Sequence, residues 1–268
     1  MLACEAPSLV FMAKKKAGKN SPEFVKKVQA HMESERKNVQ GEMLSDVILG
    51  GQDGLVNVLG IVLGMASATN DRFIVLVAGL VATFAESISM AAVAYASARA
   101  EQDHYRSELA REKWEIENLP EVEEEEIRLI YMKKGFRGRE LERLVKSVTS
   151  NRELWLSVMM TEELGMMPVE NYSPVRDAIV VGTSAVVGSL IPIIPFAFAG
   201  VAEAIAISLA VSTLTLFAVG AYKARITIGD WKRSGLEMAG VGMIAALSGY
   251  LIGDVLGKFF GLGAVNVA

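Results

Sequence analysis

The stretch Ala85–Glu117, AESISMAAVAYASARAEQDHYRSELAREKWEIE, begins inside an apolar run and leaves it through a series of carboxylates. Glu86 lies within the run itself, and Glu101, Glu108, Glu112 and Glu115 come after it in the polar part. Set at 100° per residue, these five glutamates and Met90 fall inside an arc of about 80°. No proline interrupts positions 73–118, so one helix of roughly 65–70 Å is allowed. Such a helix crosses a ~30 Å hydrocarbon layer and continues into water. One face then carries acid from mid-membrane outward, as a path for cations requires. A charge at the centre of a span costs about 2.5–3.5 kcal/mol even on a lenient insertion scale, so Glu86 points to function rather than packing.

Composition agrees with a membrane protein. The chain has 268 residues, 51% of them hydrophobic and only 7% aromatic, and its mean hydropathy is +0.33. Stretches at about 47–69, 73–98, 178–199, 201–222 and 236–257 are each long and apolar enough to cross a bilayer. The expected fold class is therefore all-α: a polytopic membrane protein with five transmembrane helices and a cytoplasmic helical metal-binding insert between the second and third. The single cysteine, Cys4, excludes internal disulfides and a cysteine-based zinc site. The N-terminal MLACEAPSLVFMAKKKAGKN places its apolar patch before its lysines, the reverse of a secretory signal. It reads as a disordered tail in which Met12 is an alternative start.

Cations set the orientation. Lys14, Lys15, Lys16, Lys19, Lys26, Lys27, Arg36 and Lys37 precede the first span, and Lys223, Arg225, Lys232 and Arg233 lie between the fourth and fifth. The positive-inside rule then puts the N-terminus, the insert and the fourth loop in the cytoplasm, with the C-terminus opposite. The resulting divisions are a tail at 1–44, helices at 45–100, an acidic insert at 101–174, helices at 175–262 and a tail at 263–268. Residues 101–173 hold 17 acidic and 11 basic side chains, a net charge of −6. LPEVEEEEIRLIYMKKG reads as a helix with Pro120 at its start, acid in its first turn, lysine in its last and Gly135 as its stop. GRELERLVKSVTS and NRELWLSVMMTEELGM read as two more. "PIIP" at 192–195 ends or kinks the third span.

The first span supplies partners for Glu86. In GGQDGLVNVLGIVLG, residues 50–64, Asp53, Asn57, Gly60 and Gly64 fall within about 60° of one another. A carboxylate and a carboxamide one turn apart form an oxygen-rich spot, and the glycines let another helix approach closely. Helix packing accounts for Gly60 and Gly64 more simply than a specific dimer motif does.

SDVILGGQDGLVNVLGIVLGMAS, ESISMAAVAYASARAEQDHY, REKWEIENLPEVEEEEI, MMTEELG and the later GAYKARIT, WKRSGLEM and GYLIG together resemble the vacuolar iron transporter family. The likeness covers about 45–260. It implies a five-span homodimer that moves Fe2+, and often Mn2+, out of the cytosol against protons. It implies domain ligands at Glu112, Glu115, Glu123, Glu126, Met159, Met160 and Glu163, and pore residues at Asp53 and Met90. One position departs from the family. The pore glutamate two turns before the methionine corresponds to Ala82, and Glu86, one turn before Met90, stands on the same face.

The residue types suit such an ion on their own. Glu112/Glu115 and Glu123/Glu126 are spaced i, i+3, so each pair leaves one helix face. Clustered carboxylates favour hard divalent ions, and thioethers from Met90, Met159 or Met160 shift preference toward softer transition metals. Core packing of an amphipathic helix is the competing reading for Met159 and Met160. His104 completes a Glu-x-x-His spacing, but two such motifs are needed for a di-iron site, and His104 reads as a surface residue. The chain has no phosphate-cradling loop and no basic aromatic surface for nucleic acid, so neither an ATP-driven pump nor an enzyme is expected. Expected partners are divalent metal ions, protons and the lipid bilayer. No permanently bound cofactor is expected, Fe2+ or a similar ion being the transported ligand. A membrane-anchored metal buffer or sensor and an uncoupled cation channel are the alternatives. The membrane is vacuolar in a eukaryote and the plasma membrane in a prokaryote.

Overall fold

The computed structural model describes residues 39–168, 173–226 and 229–261, and helical positions 22, 25, 26, 28 and 29. The N-terminal tail, the alternative start at Met12 and the tail at 263–268 lie outside these. Two units are distinguished, Met1–Ser45 and Asp46–Ala268, and the second contains the apolar spans and the insert. Its elements are all helices among the described residues: α1 Val39–Thr69, α2 Arg72–Asn118, α3 Pro120–Lys133, α4 Gly138–Thr149, α5 Arg152–Val158, α6 Pro174–Phe198, α7 Val201–Ile226 and α8 Trp231–Phe260.

Five of them, α1, α2, α6, α7 and α8, are long and apolar enough to cross a membrane. The second is a single 47-residue helix that passes position 100 without a break. Asp71 starts it, accepting hydrogen bonds from the backbone N–H of Phe73 and Ile74. Pro192 and Pro195 sit inside α6, which continues to Phe198. The Ser208 hydroxyl on α7 donates to the Pro192 carbonyl at 2.8 Å.

Small residues decide how the long helices meet. Gly50 of α1 lies against Val181 and Ser184 of α6, and Gly54 against Ala185 and Ser189. Further along α1, Gly60 faces Ala245, Gly64 faces Gly249, and Ala68 faces Gly257 of α8. Both registers increase together, so α1 runs parallel to α6 and to α8. Gly79 of α2 faces Ile193, whereas Gly182 of α6 faces Ala91 of α2, so this pair is antiparallel. Chain direction thus alternates through five crossings, and the insert emerges at the same end of the bundle as the α7–α8 loop. The partner of Gly60 and Gly64 is α8 of the same chain, the packing that the sequence favoured.

Besides a smaller cluster that joins Leu55, Leu216 and Met238, the two largest apolar clusters lie apart. Val58, Leu59, Val62, Val75, Ile193 and Phe196 anchor one inside the bundle. The other lies in the insert, where Ile116, Ile127, Leu141, Val145, Val148, Trp155, Val158 and Met159 pack together. Only Leu119 separates α2 from α3, and Pro120 opens α3 where its missing N–H costs nothing. Gly135, at φ +103°, turns the chain out of α3. The last insert helix departs from expectation. It is α-helical only over Arg152–Val158 and then widens into a π turn at Met159–Glu163.

A Cβ on Gly249 would overlap the Gly60 carbonyl, while one on Gly240 of the same helix meets nothing within 4 Å. Gly249→Ala is therefore expected to destabilise the protein by about 1–3 kcal/mol, and Gly240→Ala to leave it nearly unchanged. Thermal unfolding of the full-length chain in detergent compares the two, and equal midpoints would refute the close α1–α8 contact.

Candidate metal centre

Three elements converge at the head of α2. Glu112 lies one turn before Ile116 and is almost fully buried, at 1% exposure. Glu123 occupies the first turn of α3, one turn before Ile127, and is 3% exposed. Because the corner is a single residue, tied by the Leu119 N–H to the Glu115 carbonyl, these turns are held face to face. The π turn brings the third carboxylate. There the Leu164 N–H reaches the Met159 carbonyl at 3.2 Å, so five residues complete one turn and carry Glu163 to the cluster. One carboxylate oxygen from each of Glu112, Glu123 and Glu163 lies within 4.8 Å of the other two. Among the described residues this is the only such trio of potential ligands.

Ion pairs brace the scaffold around it. Arg128 of α3 joins Glu124 at 3.0 Å and Glu142 of α4 at 3.2 Å, and also pairs with Glu125. Lys134 pairs with Glu162 in the π turn. Arg152 reaches Glu117 at 3.5 Å, and Asn151 caps α5 by accepting from the N–H groups of Glu153 and Leu154. None of these cations enters the trio.

Burial pushes the Glu123 carboxyl up to about 7, helped by the charges of Glu126, Glu112, Glu115 and Glu163. Glu163, exposed at the mouth of the cluster, is likewise pushed up to about 7 by partial desolvation and by Glu126, Glu112 and Glu115, with Arg111 opposing. Oε2 of Glu112 and Oε2 of Glu123 are buried without a hydrogen-bond partner. Closely grouped carboxylates, two of the three buried, are costly as a set of bare anions, and protons or a divalent cation relieve that cost.

The other expected ligands are distributed unevenly. Glu115 and Glu126 are half-buried and stand close enough to act electrostatically on the trio. Met159 belongs to the apolar core of the insert. Met160 is equally buried, at 2% exposure. Glu108 is engaged by Arg111 at 2.7 Å, and His104, largely exposed, lies 3.9 Å from the same carboxylate. Glu101 is exposed, about 16 Å along the helix from Glu112. Sequence reasoning missed Arg111, whose three guanidinium nitrogens meet Glu108, Glu112 and Glu115. Its i, i+3 and i, i+4 spacing to Glu108 and Glu115 was the available signal.

A second constellation lies between two of the long helices, on the outer face of the single chain. Asn57 Nδ2 of α1 donates to Glu86 Oε1 of α2 at 3.0 Å. Asp53, one turn before Asn57, also faces the Glu86 carboxyl. Met90 comes one turn after Glu86 and, like it, is half-buried. Thr83 and Ser87 flank Glu86 on the buried side and satisfy themselves by donating to the carbonyls of Gly79 and Thr83. Ala82 packs against the bundle core. Asn57 is exposed on the outer face of the single chain.

Comparison with known proteins converges on one group. The VIT family model matches residues 44–254. Vacuolar iron transporter 1 of Oryza sativa subsp. japonica is 33% identical over 221 residues, covering 82% of this chain and 88% of that protein. Vacuolar iron transporter 1 of Arabidopsis thaliana is 31% identical over 224 residues, 83% of this chain and 90% of its own. The vacuolar iron transporter of Plasmodium falciparum (isolate 3D7) is 32% identical over 248 residues, 89% and 90% respectively.

A carboxyl raised from 4.5 to about 7 holds its proton in the folded protein over a range where the unfolded chain has lost it. Without metal, the contribution of Glu123 and Glu163 to stability therefore falls as pH rises from about 4.5 through 7. Divalent metal competes with those same protons, so Mn2+ affinity is expected to increase from pH 6 to pH 8. Unfolding midpoints of the full-length protein with and without Mn2+ across this range check both signs. A Mn2+-induced shift independent of pH would refute the assignment.

Proposed function

The chain belongs to the VIT family, and on that premise we propose that it transports Fe2+, and related divalent ions such as Mn2+, out of the cytosol in exchange for protons. The observation carrying this reading is the Asn57–Glu86 hydrogen bond, a carboxyl held between two membrane-spanning helices with Asp53 beside it. An anchor for a metal-buffering domain needs no such group, and ionisable residues inside a bilayer are retained for function. The names of the relatives supply iron as the ion and the vacuole as the compartment.

In this mechanism the insert, 101–174, collects metal from the cytosol. Glu112, Glu123 and Glu163 hold it, with Glu115 and Glu126 adding negative potential and Met160 a soft donor. Lys223, Arg225, Lys232 and Arg233 at the same end of the bundle support a cytoplasmic placement of that end. The ion then enters among Asp53, Asn57, Glu86 and Met90, where carboxylate, carboxamide and thioether replace its water. Metal entry displaces the Glu86 proton, and a proton arriving from the opposite side releases the metal. Thus one carboxyl alternates between two cations of different charge, which is what couples their movements.

A single chain leaves this path open on its outer face, because Asn57 is exposed there. Five spans are few to enclose a hydrophilic path, so a homodimer with the path at the shared face fits the geometry. The membrane is vacuolar for a eukaryotic source and the plasma membrane for a prokaryotic one.

In proteoliposomes, Glu86→Gln is expected to abolish flux of Fe2+ driven by a pH gradient while leaving Mn2+ binding at the insert intact. Undiminished flux from that variant would reject the exchanger. Wild-type flux indifferent to the gradient would indicate an uncoupled channel.

A further inference from the structure

The carboxylate cluster contains a cation of its own. Arg111 lies on α2 immediately before Glu112, and its guanidinium spreads over three acids. Nη1 is 2.7 Å from Glu108 Oε2, Nη2 is 3.2 Å from Glu112 Oε1, and Nε is 3.6 Å from Glu115 Oε2. The three acids differ in depth. Glu112 is 2% exposed at its side chain, Glu115 28% and Glu108 16%, while the arginine is 49% exposed. Its head is thus held by carboxylates that belong to the cluster on one side and by one outside it on the other.

Glu112 is divided by this contact. Its Oε1 takes the guanidinium, whereas its Oε2 is buried and unpartnered, as is Oε2 of Glu123. A single guanidinium shared with Glu108 and Glu115 thus offsets only part of the cluster's negative charge, and two orphaned oxygens remain. A divalent ion gathered by Glu112, Glu123 and Glu163 shares Glu112 with Arg111, and a doubly charged ion this close to a guanidinium is repelled by it. The planar fork also matches carboxylates in pairs, which makes it a stronger occupant than a lysine would be.

We infer that Arg111 is a tethered counter-ion which partly occupies the cluster in the absence of metal and withdraws onto Glu108 when metal binds. This inference rests on the reading of the cluster as a metal centre. It assigns Glu108 a new part. That carboxylate is the docking place that receives the arginine, and it positions Arg111 rather than ligating metal. The arrangement keeps the empty cluster folded, limits how tightly metal is held, and so lets the insert give up its ion to the membrane path. A carboxylate set without an internal cation would bind more tightly and release more slowly.

The test is Mn2+ titration calorimetry on the full-length protein in lipid nanodiscs at pH 7 and fixed ionic strength. The cluster's share is the binding component lost on Glu123→Gln. Arg111→Gln is expected to tighten that component by about tenfold, and Arg111→Lys, which keeps the charge but lacks the fork, by a smaller factor. Glu108→Gln is expected to weaken it several-fold, and that loss is expected to vanish when Arg111→Gln is also present. Arg111→Lys keeps the test decisive should Arg111→Gln fail to fold. If Glu123→Gln removes a component that both arginine variants leave unchanged or weaken, the counter-ion role is overturned and the metal centre stands. If Glu123→Gln removes nothing, the metal centre itself falls, and this inference with it.

Discussion

A carboxyl group taken out of water must find a partner, and the organisation of this protein depends on where that demand is met. Between the spanning helices it is met by Asn57, whose amide reaches Glu86 from the neighbouring helix. Nearby, α1 is drawn against α6 and α8 through glycine rather than through large side chains. Asp53 and Asn57 share the side of α1 that carries Gly60 and Gly64, and Asn57 reaches across to α2. Outside the bundle the demand is met only in part. Glu112 finds Arg111, while an oxygen of Glu112 and one of Glu123 have no partner. The contrast separates a site built around a neutral donor from one built around missing positive charge.

The two sites lie on one helix. Glu86 and Glu112 are both borne by α2, separated by 26 residues or about 39 Å of continuous helix. The insert adds little to that rod except a lid. A short corner at Leu119, a braced α3 and a widened turn bring Glu123 and Glu163 over Glu112. The ion pairs around Arg128, Lys134 and Arg152 all lie away from the trio. The bracing ion pairs and the clustered carboxylates are therefore different charges within the same acidic insert.

Much of this was legible in the sequence, for identifiable reasons. Hydropathy located five spans because the bilayer imposes a minimum apolar length, and the absence of proline between 73 and 118 announced an unbroken α2. Hydropathy could not say that the helix runs on past 98, since Ala, Glu and Arg propagate a helix in water as readily as apolar residues do in oil. The i, i+3 pairs showed which acids share a face. They did not show that Glu112 and Glu123 turn fully inward while Glu115 and Glu126 stay half-buried, because that depends on the angle of a one-residue corner. The π turn left no mark in the pattern NRELWLSVMMTEELGM, which reads as ordinary helix. Met159 shows the limit of arguing from donor type, for its thioether lies in the insert's apolar core. Arg111 is a single cation among acids of its own helix, and the pattern of charges does not show that its guanidinium folds back over Glu108, Glu112 and Glu115.

An unbroken α2 also behaves as a torsion shaft. Nothing between residues 72 and 118 offers a swivel, neither a proline nor a π turn. Rotation of the shaft in the bilayer, of the kind that would part Glu86 from Asn57, turns Glu112 through a similar angle beneath Glu123 and Glu163. The two carboxyls are thereby geared together in orientation, with no relay of side chains required between them.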